Sequence, residues 1–338
     1  MSVPTEMIAV EIASHGAPEV LTPRATPVPG AGMGEVLIRV AAAGVNAPDL
    51  AQRRGAYPPP PGASPLPGLE VAGEIAALGP GAERFALGDM VVALTNGGGY
   101  AEYVAVPEGQ VLPLPRGWSP VAGAALPETY FTIQQTLVMK AGLMPGLSVL
   151  VHGAAGGLGG AAIAIATAYG ASAIGVVSSP EKAAYVRSLG AAETIDRRHE
   201  DIVARVKAIT GGRGVDRVVD IVGGATLGVS LAAAAIEAHI LVLATLSGPH
   251  AEINAGLIVA RRLTLHGSTL RPQPPAVKAA IAESLQANIW PKLESGAIVE
   301  PKIETFPLAD AAAAHASMER PAHFGKSVLV TDFGRTIR

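Results

Sequence analysis

The segment Val149–Ala162, VLVHGAAGGLGGAA, decides the fold of this chain. An apolar strand runs into a glycine-rich turn, and an alanine-rich helix follows at once. Glycines let a phosphate approach the backbone closely, and a helix N-terminus offers unpaired N–H groups with partial positive charge. A second apolar strand comes next, so the segment predicts a dinucleotide-binding turn made by Gly153, Ala155, Gly156, Gly157, Leu158 and Gly159.

Strand and helix alternate around this turn over residues 125–270. The apolar strands are unbroken, which predicts a parallel sheet covered by helices on both faces, an α/β domain. The later strands are expected at HILVLATL and LTLHGST. Beyond them we expect one helix over 277–296, a strand at KIETF, a helix over 308–319 and a final strand at KSVLVTDF.

The first 124 residues have a different pattern. Short apolar runs are separated by glycine, proline and asparagine, as is typical of a β-barrel domain. The strands are expected at EVLIRVAAAGVN, VAGEIAALG, MVVALT and YAEYVAVP.

Composition excludes several classes of protein. The formal net charge is −3 and no run of Lys or Arg occurs, which argues against a nucleic-acid partner. There is no cysteine, so disulfides, cysteine-ligated zinc and a thiol nucleophile are all excluded. Of the 338 residues 49% are apolar, enough for two well-buried domains.

A stretch without charged residues lies between Lys140 and Glu181 and could be taken for a membrane helix. Pro145 and the central glycines favour the strand, turn and buried helix instead. The N-terminus has acidic residues at Glu6 and Glu11 and lacks the pattern of a signal peptide. We therefore expect a cytoplasmic protein without a membrane partner.

The end of the second strand indicates which dinucleotide is bound. An NAD site usually places an acid there to accept the ribose 2′-OH. Here Val177 is followed by Ser178 and Ser179, and then by Lys182. Hydroxyls and cations suit a 2′-phosphate, so the pattern predicts NADPH, with Arg197 and the neighbouring Arg198 closing over the same edge. The alternative is that Lys182 is a solvated residue of a first helical turn.

Several longer stretches resemble the medium-chain dehydrogenases/reductases, and within them the quinone oxidoreductases, especially the tumour-suppressor-inducible branch. They are GEVLIRVAAAGVNAPDL, PGLEVAGEIAALGPG, NGGGYAEYVAVPEG, ALPETYFTIQQTL and GKSVLV. The resemblance implies a GroES-like β-barrel domain over 1–124, completed by 271–338, and a Rossmann NADPH-binding domain over 125–270. It also implies a homodimer, for which the two late strands are candidate edges.

Zinc-dependent members of that family carry a Gly-His-Glu segment and cysteine ligands. The corresponding residues here are Gly68, Leu69 and Glu70, and the chain has no cysteine. A tetrahedral zinc site cannot be assembled from these residues. We therefore expect a zinc-free enzyme that reduces an already polarised acceptor.

The resemblance further assigns site residues. Asn46 and Tyr57 match positions that line the nicotinamide and substrate cleft, and we expect both to take part in catalysis. The other cofactor positions that it implies are Thr132, Ala244, Thr245, Leu246, Ser247, Gly267, Ser268, Thr269 and Lys326. Structural alternatives exist: Asn46 could cap a helix that begins at Pro48, Tyr57 could pack beside prolines, and Thr132 could lie inside a helix.

Two departures from the related sequences stand out. Asp196 follows the third strand where relatives often have tyrosine, and a carboxylate there weakens the case for NADPH. Gly156 replaces a serine of the glycine turn.

The expected reaction is hydride transfer from NADPH to a quinone or to the β-carbon of an α,β-unsaturated carbonyl. One alternative is an enoyl-thioester or alkenal reductase. An alternative of another class is a non-catalytic NADPH-binding redox sensor.

Overall fold

The computed structural model describes residues 3–337. The chain divides into two compact units. Unit 1 comprises the described part of Met1–Phe131, Arg271–Glu294 and the described part of Glu300–Arg338; unit 2 comprises Thr132–Leu270 and Ser295–Val299. The boundary expected after residue 124 lies inside unit 1, and residues 1, 2 and 338 of the expected ranges lie outside the described residues.

Unit 1 is built on a seven-stranded sheet with the order β14-β15-β3-β4-β5-β7, in which β6 also pairs with β3, and on the antiparallel hairpin β1-β2. Its strands are β1 (Glu6–Ile12), β2 (Leu21–Pro27), β3 (Glu35–Val45), β4 (Glu70–Leu78), β5 (Met90–Leu94), β6 (Tyr103–Pro107), β7 (Val111–Pro113), β14 (Ile303–Pro307) and β15 (Lys326–Val330). Two register shifts interrupt the pairing of β3 with β4. Such irregularities bend a strand and increase its twist, which lets β3 pair with three neighbours.

Unit 2 is built on a six-stranded parallel sheet with the order β10-β9-β8-β11-β12-β13. The strands are β8 (Ser148–Val151), β9 (Ser172–Val177), β10 (Glu193–Asp196), β11 (Val215–Asp220), β12 (Ala234–Val242) and β13 (Thr264–Gly267). The order reverses between β8 and β11, which is where open α/β sheets bind ligands outside the carboxyl ends of their strands. The expected α/β class with a doubly wound parallel sheet is confirmed.

The helices of unit 1 are α1 (Ala47–Arg53), α2 (Pro120–Gly123), α3 (Pro127–Ile133, which runs into unit 2), α9 (Pro275–Asn288), α10 (Trp290–Glu294), α11 (Ala311–Glu319) and α12 (Asp332–Thr336). Those of unit 2 are α4 (Gly157–Ala168), α5 (Pro180–Ser188), α6 (Ile202–Ile209), α7 (Ala225–Ala233) and α8 (Ala255–Arg261). A π-helical segment, Gln134–Lys140, continues α3. Within residues 3–337 no helix is long and apolar enough to cross a membrane.

Each unit has its own apolar core. In unit 1 the core is formed by inward side chains of β3, β4 and β5 with α11, including Ile38, Val71 and Ala314. In unit 2 it lies between the central strands and the flanking helices, and includes Leu150, Ile240 and Leu231. These side chains are fully or nearly fully buried, which anchors the strand ends that carry the polar residues described below.

The structure corrects the expected elements in three places. The single helix expected over 277–296 is two helices, because α9 ends at Asn288 and Pro291 lies in the first turn of α10, where a proline is tolerated. Strand β12 begins at Ala234, five residues before the expected His239, since Ala234 already pairs with Val215 of β11. The hairpin β1-β2 was not expected, because the exposed polar residues of both strands mask their apolar alternation.

Candidate active site

The glycine turn of unit 2 joins β8 directly to α4. Gly153 has a φ of +67°, a left-handed conformation that favours glycine. A Cβ atom on Gly159 would lie 2.3 Å from the carbonyl oxygen of Gly153, so α4 packs against the turn with no space for a side chain. Gly156 is the N-cap of α4 and has no side chain to cap it. The turn therefore directs the N-terminus of a buried helix outward, as an anion site requires.

The other predicted cofactor residues of unit 2 follow the carboxyl ends of neighbouring parallel strands. They are therefore gathered at the edge of the sheet that also carries the glycine turn. Ser247 ties two of these loops together, since its Oγ donates to the carbonyl oxygen of Gly223 at 2.6 Å and accepts from the N–H of Ala225 at 3.2 Å. The residues grouped here are Ser178, Ser179, Arg197, Ala244, Thr245, Leu246, Ser247, Ser268 and Thr269, together with Gly267, the last residue of β13.

A group of cations stands at the ends of β9 and β10, and we call Lys182, Arg197 and Arg198 the cation group. Burial lowers the pKa of Lys182, and the positive charges of Arg198 and Arg197 lower it further. The charges of Arg197 and Arg198 are therefore close enough to act on Lys182. Ser179 caps α5, because its Oγ accepts from the backbone N–H of Lys182 at 3.3 Å.

Asp196 lies beside the cation group, and its carboxylate binds the backbone of the same turn. Its Oδ1 accepts from the backbone N–H of Arg198 at 3.0 Å, and its own N–H donates to Glu200 Oε2 at 2.7 Å. The acid therefore holds the turn after β10 in place.

In unit 1, Asn46 is the N-cap of α1 and binds side chains from two other strands. Helix α1 begins at Ala47, one residue earlier than the alternative raised from the sequence. Asn46 Nδ2 donates to Glu70 Oε1 at 2.8 Å, and Asn46 Oδ1 accepts from Lys326 Nζ at 2.7 Å. Asn46 therefore both caps the helix and takes part in a buried polar network.

The centre of this network is the ion pair of Lys326 with Glu70. Lys326 Nζ lies 2.5 Å from Glu70 Oε1, and both side chains are almost completely buried. Gly44 makes room for the carboxylate, because a Cβ atom there would lie 2.0 Å from Glu70 Oε1. A buried pair of this kind must be well hydrogen-bonded to offset its desolvation. Asn46 supplies those bonds to both partners.

Two further acids, Asp49 and Glu128, are influenced by the charges of the ion pair. Asp49 accepts from the backbone N–H groups of Asn46 and Gly68, at 2.8 and 3.0 Å. Burial, with a smaller contribution from Glu70, raises the pKa of Asp49 to about 6. Burial and then the charges of Glu70 and Asp49 raise the pKa of Glu128 to about 8. We call Asn46, Asp49, Glu70, Glu128 and Lys326 the acid cluster.

Tyr57 is half-buried, and its hydroxyl is influenced by two acids and by one cation, Arg271. Burial raises the pKa of its hydroxyl, Glu128 and Asp49 raise it further, and Arg271 opposes them. The guanidinium carbon of Arg271 lies 5.6 Å from the centre of the Tyr57 ring. Arg271 itself is held by Gln52 Oε1 at 2.8 Å and by the carbonyl oxygen of Asn96 at 2.7 Å. The loop that carries Tyr57 is thus joined to the buried polar side chains of unit 1.

Comparison with known proteins identifies the family. Residues 32–116 match the alcohol dehydrogenase GroES-like domain, and residues 157–286 match the family described as zinc-binding dehydrogenase. A quinone oxidoreductase of Pseudomonas aeruginosa is 36% identical over 326 residues, which cover 95% of this chain and 98% of that protein. The chain belongs to the quinone oxidoreductases of the medium-chain dehydrogenase/reductase family.

Solved structures of other members agree with this assignment. A quinone oxidoreductase of Pseudomonas syringae superposes with a TM-score of 0.84 at 33% identity, covering 96% of this chain and 99% of that one. A mycobacterial relative, solved in complex with NADPH, gives a TM-score of 0.83 at 31% identity and covers 96% and 99%. The expected GroES-like and Rossmann domains of a quinone oxidoreductase are therefore confirmed.

Sequence reasoning missed several functional candidates of this quinone oxidoreductase. Asp49, Glu128 and Arg271 were not singled out, although Asp49 and Glu128 lie in stretches that carry the resemblance. In unit 2, a buried chain links His152 Nε2 to Ser230 Oγ at 3.1 Å and Ser230 Oγ to Asp220 Oδ2 at 2.9 Å. An acid at a strand end followed by paired glycines was the signal for Asp220. Its Oδ1 accepts from the N–H of Gly223 at 2.9 Å and so orders the loop that holds Ser247.

The remaining predicted residues lie as follows. Thr132 is partly buried and its carbonyl oxygen accepts from Thr136 Oγ1 at 2.7 Å, as for a residue inside a helix. Ser268 Oγ donates to Gln135 Oε1 at 3.1 Å. A cavity of about 510 Å³ opens in unit 1 beside β1, β2 and β6, and none of the predicted site residues lines it. Among residues 3–337, no group of three or more His, Cys, Asp or Glu is arranged to hold a metal ion.

Proposed function

We propose that this chain is an NADPH-dependent reductase that transfers a hydride to a quinone or to the β-carbon of an α,β-unsaturated carbonyl, with no metal ion. The observation that carries the proposal is the cation group at the same sheet edge as the glycine turn. Positive side chains gathered at one end of the sheet attract a phosphate, and each can donate charge-assisted hydrogen bonds to it.

The residues present fit the cofactor. The open side of Gly156, where a Cβ atom would meet only the carbonyl oxygen of Gly153 at 3.6 Å, leaves space for a pyrophosphate at the start of α4. The cation group and the hydroxyl of Ser178 would hold the 2′-phosphate. Asp196 opposes this less than its sequence position suggested, because its carboxylate is engaged with the N–H of Arg198. When bound, NADPH supplies the hydride.

The chain's own residues would orient the acceptor and keep water away from it. The Tyr57 hydroxyl is suited to donate a hydrogen bond to the acceptor oxygen, since burial and nearby acids keep it protonated. The family resemblance assigns Asn46 and Lys326 to cofactor binding, and Asn46 also to catalysis. Their side chains bind each other and Glu70, so we propose that they act by holding the Glu70 carboxylate in place.

Metal independence is part of the proposal. Leu69 stands where zinc-dependent relatives need a histidine, and there is no cysteine to complete a tetrahedral site. The positive charge beside Glu70 is instead the ammonium group of Lys326, 2.5 Å away. An acceptor with a polarised carbonyl can take a hydride from NADPH when hydrogen-bond donors, and no metal ion, stabilise its oxygen.

The test is the specificity for the two nicotinamide cofactors. We would measure kcat/KM for NADPH and NADH with naphthoquinone as acceptor, using protein dialysed against a chelator and checked for zinc by elemental analysis. A charged hydrogen bond contributes roughly 1.5–3 kcal/mol, so NADPH should be preferred by roughly ten- to a hundredfold. Lys182→Ala should remove about tenfold of the NADPH value and leave the NADH value unchanged.

The matched control is Lys207→Ala, which removes an exposed lysine from α6 of the same unit. It should leave both values unchanged. Equal use of NADH and NADPH by the wild type, or an equal loss of both in Lys182→Ala, would contradict the cofactor proposal. Metal independence would be contradicted if the protein held one zinc ion per chain before dialysis and lost its turnover when the chelator removed that zinc.

A further inference from the structure

A buried carboxylate, that of Asp220, connects the loops at the sheet edge that carries the glycine turn. Asp220 is the last residue of β11 and is fully buried. Among residues 3–337 it belongs to no ion pair. A buried charge without a counter-ion is stable only when hydrogen-bond donors surround it. The donors around Asp220 therefore show which parts of unit 2 it holds.

Backbone and hydroxyl groups bind both oxygens of this carboxylate. Oδ1 accepts from the backbone N–H groups of Val222 and Gly223, at 3.0 and 2.9 Å. Oδ2 accepts from Ser230 Oγ at 2.9 Å, and the hydroxyl of Thr226 lies 2.7 Å from Oδ1 and 2.9 Å from Oδ2. Both hydroxyls belong to α7, so Asp220 fixes the start of this helix to the end of β11.

One branch from Asp220 leads to the glycine turn. The Ser230 hydroxyl has a single proton and donates it to Asp220, because a carboxylate oxygen can only accept. Ser230 Oγ also lies 3.1 Å from His152 Nε2, so it accepts there and His152 carries its proton on Nε2. Burial lowers the pKa of His152, which keeps the ring neutral. His152 directly precedes Gly153, where the turn begins.

The other branch leads to the loop after β12. Gly223, whose N–H is bound by Asp220, has a φ of +63°, which favours glycine. The carbonyl oxygen of Gly223 accepts from Ser247 Oγ at 2.6 Å, and the same hydroxyl accepts from the N–H of Ala225 at 3.2 Å. The backbone N–H of Ser247 donates to the carbonyl oxygen of Val222 at 2.9 Å. These bonds depend on the loop conformation that Asp220 fixes.

We propose that Asp220 is a positioning residue of the cofactor site, which holds the glycine turn and the loop of Ser247 at a fixed separation through these two branches. This inference rests on the proposed function, in which both segments bind NADPH. Asp220 acts through Ser230 and His152 on one side and through Gly223 on the other, so it needs no contact with the cofactor.

The first test concerns the position of a proton and needs no cofactor. In protein with isotopically labelled histidine, long-range proton–nitrogen NMR spectra distinguish the two tautomers of a neutral ring. The signals of His152, assigned by their loss in His152→Gln, should show the proton on Nε2. If the proton is on Nδ1, Ser230 donates to the histidine and not to Asp220, and the chain from Asp220 to the glycine turn is overturned.

The second test is the Kd for each cofactor, measured by the fluorescence of bound NADPH and NADH. Asp220→Asn and Ser230→Ala should each raise both values by the same factor, roughly tenfold, because each disturbs a hydrogen bond to a charged group. The ratio of the two Kd values should not change, since the two segments hold parts that NADPH and NADH share. With naphthoquinone as acceptor, KM for NADPH should rise while kcat is little changed.

The matched control for Asp220→Asn is Asp216→Asn. Asp216 is also an acid of β11 bound to a serine, since Ser148 Oγ donates to its Oδ2 at 2.6 Å, but it lies near the amino end of the strand. Its substitution should leave both Kd values unchanged. Urea unfolding checks that the variants compared are folded. A similar rise of Kd in Asp216→Asn would assign the effect to general destabilisation and overturn the positioning role.

A double variant tests whether Ser230 and His152 act as one chain. His152→Leu should weaken NADPH binding, and its combination with Ser230→Ala should bind no more weakly than the weaker single variant. His152→Gln keeps an N–H donor near Ser230 and should retain most of the affinity. Effects that multiply in the double variant, or equal losses in His152→Gln and His152→Leu, would contradict the chain. These comparisons decide the matter even if Asp220→Asn does not fold.

The outcomes separate this inference from the proposed function. If NADPH binds but no quinone or enone oxidises it, the proposed reduction fails, while the Kd values of the variants still decide the role of Asp220. If turnover with NADPH is present and the folded variants Asp220→Asn and Ser230→Ala keep the wild-type Kd, the function stands and Asp220 only stabilises the fold. If neither cofactor binds the wild type, both proposals fail.

Discussion

A single buried histidine illustrates how one residue can make stability depend on pH. His315 on α11 is fully buried, with Nε2 3.0 Å from the Tyr100 hydroxyl and Nδ1 3.4 Å from Arg53. Burial, and then the charge of Arg53, lowers the pKa of His315 to about 3 from an ordinary value of 6.5. Below pH 6.5 the unfolded chain binds a proton that the folded chain does not, so folding weakens as the pH falls towards 3.

We therefore expect His315 alone to cost on the order of 2 kcal/mol of unfolding free energy between pH 6.5 and pH 4.5. The measurement is urea unfolding of the wild type and His315→Gln at several pH values. The variant is expected to be less stable at neutral pH, but the difference should shrink as the pH falls. Parallel curves for the two proteins would show that His315 does not titrate on unfolding.

At the scale of elements, α4 packs closely against the glycine turn of unit 2. A Cβ atom on Gly159 would lie 2.3 Å from the Gly153 carbonyl oxygen and 2.7 Å from Ala154 Cα, both backbone atoms. Gly159→Ala must therefore move α4. We expect a loss of about 1–3 kcal/mol of unfolding free energy. NADPH binding should weaken too, because the helix N-terminus shifts.

The matched control for this variant lies in the same turn. Gly156 has a φ of −77°, and a Cβ atom there would meet only one oxygen, at 3.6 Å. Gly156→Ala should change the unfolding free energy by no more than about 0.5 kcal/mol. Equal destabilisation of the two variants, measured by calorimetry, would contradict the packing argument.

At the scale of the whole molecule, we propose assembly as a homodimer through the edge of the unit 2 sheet. Strand β13 is one of the two edge strands of this sheet. Its Leu265 is 38% exposed, and the apolar Val259 of α8, nearby in the chain, is 80% exposed. Edge strands of this kind are normally covered or protected. Because a two-fold contact would bring the two copies of Leu265 together, Leu265→Lys should place like charges across it.

Light scattering at micromolar concentration should find a dimer for the wild type and a monomer for Leu265→Lys. The control is Leu87→Lys, which adds the same charge at an exposed leucine of unit 1 and should remain a dimer. A monomeric wild type would reject the assembly, and a dimeric Leu265→Lys would move the interface elsewhere.

The sequence by itself determined the features that depend on neighbouring residues. The glycine turn, the alternation of strand and helix, and the serines and lysine after β9 lie within short segments, where backbone geometry and apolar periodicity act locally. The absence of cysteine and the leucine at position 69 likewise needed no structure. The break between α9 and α10 was missed because a continuous apolar pattern hid the effect of Pro291.

The tertiary structure decided the chemistry of the acid cluster. Lys326 and Asn46 are 280 positions apart, and Glu70 lies between them in the sequence, yet their side chains are in direct contact. The pKa of a carboxyl depends on burial and on charges brought close by folding, and neither is encoded in its sequence neighbours. Glu128 is thus an ordinary helix residue in the sequence, and only the fold buries it and brings the charges of Glu70 and Asp49 near it, which raises its pKa to about 8.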